Sequence, residues 1–224
     1  MSISLRESVS LASRWIAPAF IALGLFGCAQ PDRPRLSTVN LPAASLPAYT
    51  NGDTFVYTDG TAEPLVRRVS GVDGETVHWT TEKGFRFSTY RNFALPRLDW
   101  EGGKSSGRMM NSLAPGQLWP LQPRNKAQVT ASYSRRDKAT GASSAYDEFW
   151  KCKVNAARPV TVPAGTFDAF KIICRRYDAT RRNVTRTHIW FYAPAVGHFV
   201  KRIKKYGRRP DQVLQLVSYQ RAAG

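Results

Sequence analysis

The sequence predicts a mainly β protein: a curved antiparallel sheet, forming a half-barrel or open barrel, with a short β-meander before it. Three observations carry this. Short segments of alternating polar and apolar residues recur between turn signals such as Asp59-Gly60 and Asp73-Gly74. The connections between them are too short for the helical crossovers that parallel strands need. No window supplies three turns of amphipathic helix, although 90–99 allows one short helical piece. A sheet this large must curl to manage its edges.

Residues 1–27 read as a lipoprotein signal peptide. Arg6 and Arg14 make a basic start, and an apolar run from Trp15 to Phe26 ends in Leu25-Phe26-Gly27-Cys28. The run is too short to span a hydrocarbon core comfortably, so it reads as a targeting segment. An ordinary signal peptide and an uncleaved anchor are the alternatives. The likeness to lipoprotein signals implies lipidation at Cys28 and a membrane partner through the lipid. No aspartate follows Cys28, where Ala29 and Gln30 stand. In a host with two membranes this implies the outer membrane, with the chain facing the periplasm. Stable anchoring of this kind takes more than one acyl chain.

Residues 28–50 read as a Pro-rich tether, with Pro31, Pro34, Pro42 and Pro47 and no periodicity. The meander covers 51–100, with strands expected at 54–58, 65–70, 76–80 and 85–90. Residues 101–116 read as a linker loop, because Gly102, Gly103, Gly107, Pro115 and Gly116 interrupt any pattern. Gly102-Gly103-Lys104-Ser105 is not a phosphate-binding loop. Leu98 stands where the motif needs glycine, and the βαβ context is missing. A second antiparallel β domain with a basic face covers 117–221. Strands are expected at 127–136, 145–155, 166–177, 184–192, 199–206 and 213–220. In the fourth of these, Val184, Arg186, His188, Trp190 and Tyr192 share one side of the strand.

Three cysteines are present. With lipid on Cys28, Cys152 and Cys174 remain as a pair in an oxidising compartment, where a disulfide is expected. Two free thiols or half a metal site are the alternatives. Neither a CxxC nor an HxxxH spacing accompanies the pair, so no metal is expected.

Formal net charge is +17, which suits anionic partners in the envelope. Between Lys171 and Pro210 twelve Lys or Arg residues stand against one acid, Asp178. Arg175, Arg176, Arg186, Lys201, Arg202, Lys204 and Lys205 fall on neighbouring strands and are the candidate anion-binding residues. Nucleic acid is a poor fit, since no recognised motif is present. His78, His188 and His198 lack a GxSxG elbow or an acid close in sequence, and Asp147-Glu148 point to opposite faces of a strand. Catalysis is therefore not expected, nor is a cofactor. The oligomeric state is not legible.

Two segments carry a resemblance. Val162-Pro-Ala-Gly-Thr-Phe-Asp-Ala-Phe-Lys-Ile172 and Trp190-Phe-Tyr-Ala-Pro-Ala-Val-Gly-His-Phe-Val-Lys201 resemble a V-P-A-G-T-F…W-Y-A-P-G-V-G-L-V-K pattern of exported bacterial domains of unknown function. Here Ala195 replaces the usual Gly, Phe191 is an extra aromatic, and His198 stands where Leu is common. That family has no established chemistry. Some of its domains look like the half-barrel of periplasmic lipoprotein carriers, which implies a curved sheet able to hold an acyl chain. Two functions follow as expectations. The first is an anchored, non-catalytic envelope lipoprotein whose basic β face binds lipopolysaccharide or cell wall. The alternative is a lipid-carrier-like half-barrel with an apolar ligand inside.

Overall fold

A computed structural model describes residues 38–113 and 116–223. The signal peptide, Cys28 and the first part of the tether lie outside the described residues. Thirteen strands form in chain order: β1 (Thr54–Thr58), β2 (Leu65–Asp73), β3 (Thr76–Thr81), β4 (Arg86–Tyr90), β5 (Asp99–Glu101), β6 (Ser105–Leu113) and β7 (Gly116–Gln117). Then follow β8 (Lys126–Asp137), β9 (Ser143–Val162), β10 (Gly165–Tyr177), β11 (Val184–Ala193), β12 (His198–Tyr206) and β13 (Arg209–Gln220). All pairings between them are antiparallel, so the mainly β expectation holds. The short helical piece allowed at 90–99 is instead a turn followed by irregular chain.

The sheet closes. Its order runs β6-β5-β4-β3-β2-β1-β13-β12-β11-β10-β9-β8, and β6 also pairs with β8 from Ser105↔Asp137 to Leu113↔Thr130. Twelve strands thus make a barrel, which corrects the expectation of a half-barrel or open barrel. Closure removes the unpaired edges that an open sheet would present. The short β7 continues the seam along β8 at Gly116↔Ala127.

The closing strand lies in the segment expected to be a linker loop, 101–116. Gly107 explains the difference. A Cβ there would meet the Trp100 ring at 2.3 Å and the Ser134 carbonyl oxygen at 2.8 Å. This glycine is not a breaker; it makes room for an indole to lie against the strand. With β6 in place, 51–100 and 117–221 are not two domains. They share one sheet and one core, in which Phe55, Tyr57, Phe170, Ile172 and Leu216 are fully buried.

The end of the expected tether also belongs to the fold. Val39 donates to the Ala157 carbonyl at 2.9 Å, and Ala44 and Leu121 exchange backbone bonds at 3.0 and 2.7 Å. Tyr49 is buried against Trp79, ring centroids 5.2 Å apart.

Cys152 and Cys174 face each other on β9 and β10 and form a disulfide. They are 22 residues apart in sequence. Closing a loop of this length in the unfolded chain stabilises the fold by about 3 kcal/mol in the chain-entropy model. Reduction should lower the unfolding free energy by that amount in urea titrations with and without reductant. An unchanged midpoint would place the pair outside the stabilising framework.

Candidate functional site

Strand alternation decides which of the basic residues meet the interior. On β11, Arg186, His188 and Trp190 point inward, as the sequence pattern predicts, and all three line a cavity of about 240 Å³ inside the barrel. On β12, Arg202 and Lys204 join them. On β10, Arg176 forms an ion pair at 3.1 Å with Glu148, which is on the cavity wall. The seven candidate residues therefore do not form one face. Arg176, Arg186, Arg202 and Lys204 serve the interior, whereas Arg175, Lys201 and Lys205 occupy the alternate, outward positions.

Two cavity cations, Arg67 and Arg97, lie outside the basic cluster of the sequence. Arg67 on β2 alternates with Leu65 and Val69, so it faces inward and is buried. Arg97 belongs to the chain between β4 and β5, which dips into the barrel and places Phe93, Ala94 and Arg97 on the cavity wall. The Tyr133 hydroxyl holds this segment by donating to the Arg97 carbonyl at 2.9 Å. An arginine at the centre of an apolar alternation was the available signal for Arg67. Nothing local marks Arg97.

The wall has five cations: Arg67, Arg97, Arg186, Arg202 and Lys204. Its one carboxylate, Glu148, is committed to Arg176 and also accepts the Trp150 indole N–H at 2.9 Å. Among the described residues none of the five forms an ion pair. Aromatic rings face the four arginines instead. Arg67 lies 5.6 Å from the Tyr57, Phe87 and Phe199 ring centroids, Arg97 4.7 Å from Phe87, and Arg202 5.4 Å from Trp190. Ring faces attract a cation but leave its hydrogen-bond donors unused. The Nε atoms of Arg67 and Arg202, the indole N of Trp190 and the Nε2 atoms of His188 and His198 have no partner. All five of these side chains line the cavity.

Burial and mutual repulsion show in the acid–base behaviour. Burial pushes Lys204 well below the usual lysine range, and the neighbouring Arg202, Arg97 and Arg67 guanidinium groups push it further. Burial lowers Arg97 to about 10, with Arg67 adding to the effect. Burial, then the charges of Arg67, Arg221 and Arg202, hold His198 well below the ordinary imidazole value. His188 is held down by burial and by Lys204 and Arg202.

A pH dependence follows from the two histidines. Below about pH 6.5 unfolded imidazoles take up protons that the folded ones refuse, so the unfolded state binds more protons. The contribution of the two imidazoles to stability is therefore complete above that pH and falls as pH drops through it. Between pH 7.5 and 5.5 the ligand-free chain should lose as much as about 3 kcal/mol, measured as urea midpoints across that range. A flat profile would mean that neither imidazole is held neutral.

His78 is separate from this cavity. Its Nδ1 lies 2.9 Å from the Ser88 hydroxyl, which donates to Asp99 at 3.1 Å. The acid contacts the serine and not the histidine, so the order is wrong for an activated nucleophile.

No protein-family model matches the chain, and no curated protein matches its sequence. Among solved structures, the chain is similar to the hypothetical lipoprotein YmcC of Escherichia coli, at 6% identity and a TM-score of 0.48, over 74% of this chain and 83% of that one. It is also similar to a protein of Bacteroides fragilis described as exported and YmcC-like in fold, at 12% identity and a TM-score of 0.40. That overlap takes in 80% of this chain and 100% of that one. A Parabacteroides distasonis protein described as a lipoprotein gives 14% identity, a TM-score of 0.40, and the same two shares. Likenesses at this level transfer no function.

Proposed function

We propose that this chain is a non-catalytic binding protein of the cell envelope whose closed barrel holds a small, anionic, partly apolar ligand. The carrying observation is that Arg67 and Arg202 are buried in the lumen without a carboxylate partner. An uncompensated buried charge costs several kcal/mol, and a fold tolerates it where something else neutralises it. Trp79, Phe87, Trp100 and Phe199 on the same wall suit an apolar body. Both lumen histidines are neutral at working pH and no carboxylate orients them, which favours binding over acid–base chemistry. The envelope address rests on the lipoprotein signal at residues 1–28.

This reading develops the lipid-carrier alternative and puts the basic-face reading second. The outer surface keeps cations of its own, however. Lys151, Arg175 and Lys205 lie in one row across β9, β10 and β12, joined through Thr187 of β11. Lys171 and Lys201 lie in a parallel row joined through Phe191. These rows suit contact with lipopolysaccharide phosphates or cell-wall carboxylates while the lumen holds its ligand. Such contact would be strongly salt-dependent.

Native mass spectrometry of the full chain, purified from bacterial envelope membranes, tests the lumen reading. A stoichiometric mass excess that is lost in Arg202→Met is the expected result. A bare protein mass, with binding to sacculi or lipopolysaccharide unaffected by Arg202→Met, would overturn it in favour of the outer rows.

A further inference from the structure

We infer that the group bound in the lumen is phosphoryl, a phosphate monoester or diphosphate, seated among Arg67, Arg202 and Lys204. The inference rests on the interior-binding reading and names its ligand class. The unpartnered atoms decide the polarity of the occupant. Arginine Nε and indole N–H groups donate and cannot accept. The Tyr49 hydroxyl lies 2.6 Å from His198 Nδ1 and has no other acceptor among the described residues. Tyr49 therefore donates to Nδ1, and the imidazole hydrogen sits on Nε2, another donor on the cavity wall. An ammonium group has no acceptor to offer these donors, and an alcohol brings one uncharged oxygen; an oxyanion brings several charged ones.

Charge then separates the oxyanions. A carboxylate brings one charge and two oxygens to a wall with five cations and one committed acid. A phosphate monoester brings about 1.5 to 2 negative charges at neutral pH and three acceptor oxygens. The guanidinium fork also matches phosphate geometry bidentately. Lowering of Lys204 by its cationic neighbours agrees, because a multiply charged ligand would relieve that repulsion in one step.

Space sets the rest. At ~30 Å³ per water, the cavity of about 240 Å³ equals roughly eight waters. That is room for a phosphoryl group and a short body. Tyr146, Glu148 and Arg186 also line a second, adjoining cavity of about 510 Å³. A longer body can leave the lumen past these side chains. The shared phosphoryl chemistry has two sources, a lipid headgroup or a free phosphate compound.

The test is calorimetric titration of the full chain, freed of bound material, at pH 7.5. The probes are hexyl phosphate, hexyl sulfate, heptanoate and inorganic phosphate. Hexyl phosphate should bind at least tenfold more tightly than heptanoate and hexyl sulfate. Hexyl phosphate tenfold above inorganic phosphate assigns an amphiphile; equal affinities assign a free phosphate compound. Arg202→Met and, independently, Arg67→Met should each weaken hexyl phosphate at least thirtyfold, with Lys138→Met in the β8–β9 turn unchanged. Heptanoate or hexyl sulfate binding as tightly as hexyl phosphate overturns the phosphoryl assignment and leaves the interior site standing. No binding by any probe, together with a bare protein mass from membranes, overturns both.

Discussion

Replacing Arg67 and Arg202 together with methionine should raise the stability of the ligand-free chain by about 4 kcal/mol while abolishing ligand binding. Both guanidinium groups are buried, at 8% and 7% exposure, and both have an unpartnered Nε. Substitution of buried ionic groups by apolar ones of similar size commonly stabilises by ~1–4 kcal/mol. Here no internal pair is broken, because neither arginine has one. Methionine keeps much of the length, and its sulfur packs well against Phe199, Phe87 and Trp190. In a domain of this size each kcal/mol moves the melting temperature by ~2–4 °C, so calorimetry should show a rise on the order of 10 °C. A fall would mean that the protein itself compensates both charges, and the need for an anionic ligand would disappear.

The opposite effect is expected at Asp53, the one fully buried carboxylate among the described residues. It accepts from the Thr50 amide at 2.8 Å and the Ala222 amide at 2.9 Å, and it pairs with Arg221 at 3.1 Å. Arg221 in turn donates to the Val196 carbonyl at 3.2 Å and to that of Ala48. It lies over Gly197, where a Cβ would come within 2.7 Å of its guanidinium. One carboxylate thus ties the start of the barrel to its last residues, and through Arg221 to the β11–β12 turn. Asp53→Ala leaves two amides without an acceptor and the Arg221 charge without its carboxylate, and breaking a buried pair in this way costs ~3–5 kcal/mol. Urea unfolding should show a loss of about 4 kcal/mol, with Asp53→Asn losing less. A loss under about 1 kcal/mol would show that water replaces the carboxylate there.

Most strands were legible because alternation with period two is local. The β11 pattern placed Arg186, His188 and Trp190 on one side, and the barrel puts them there. Closure was not legible, because it depends on β6. Gly107 disrupts the pattern of that strand, and its purpose appears only once Trp100 packs against it. Residues 38–50 lack periodicity and read as a spacer, yet backbone bonds at Val39 and Ala44 and the burial of Tyr49 tie them to the barrel. The cations are visible in the sequence as a cluster, which suggests a single face. Strand parity divides them, and Arg67 shows that an arginine between inward leucine and valine deserves to be read as a lumen residue. Arg97 was beyond reach, since only the inward path of the chain after β4 brings it to the others.

Two-dimensional NMR of the indole N–H groups, during titration with hexyl phosphate, locates the ligand most directly. The Trp190 N–H, unpartnered on the lumen wall, should shift strongly and saturate with the binding isotherm. The Trp119 N–H, also unpartnered but off the cavity wall, should move little. Shifts confined to backbone amides around Arg175, Lys201 and Lys205, with Trp190 unmoved, would place the anion on the outer face and contradict an interior site.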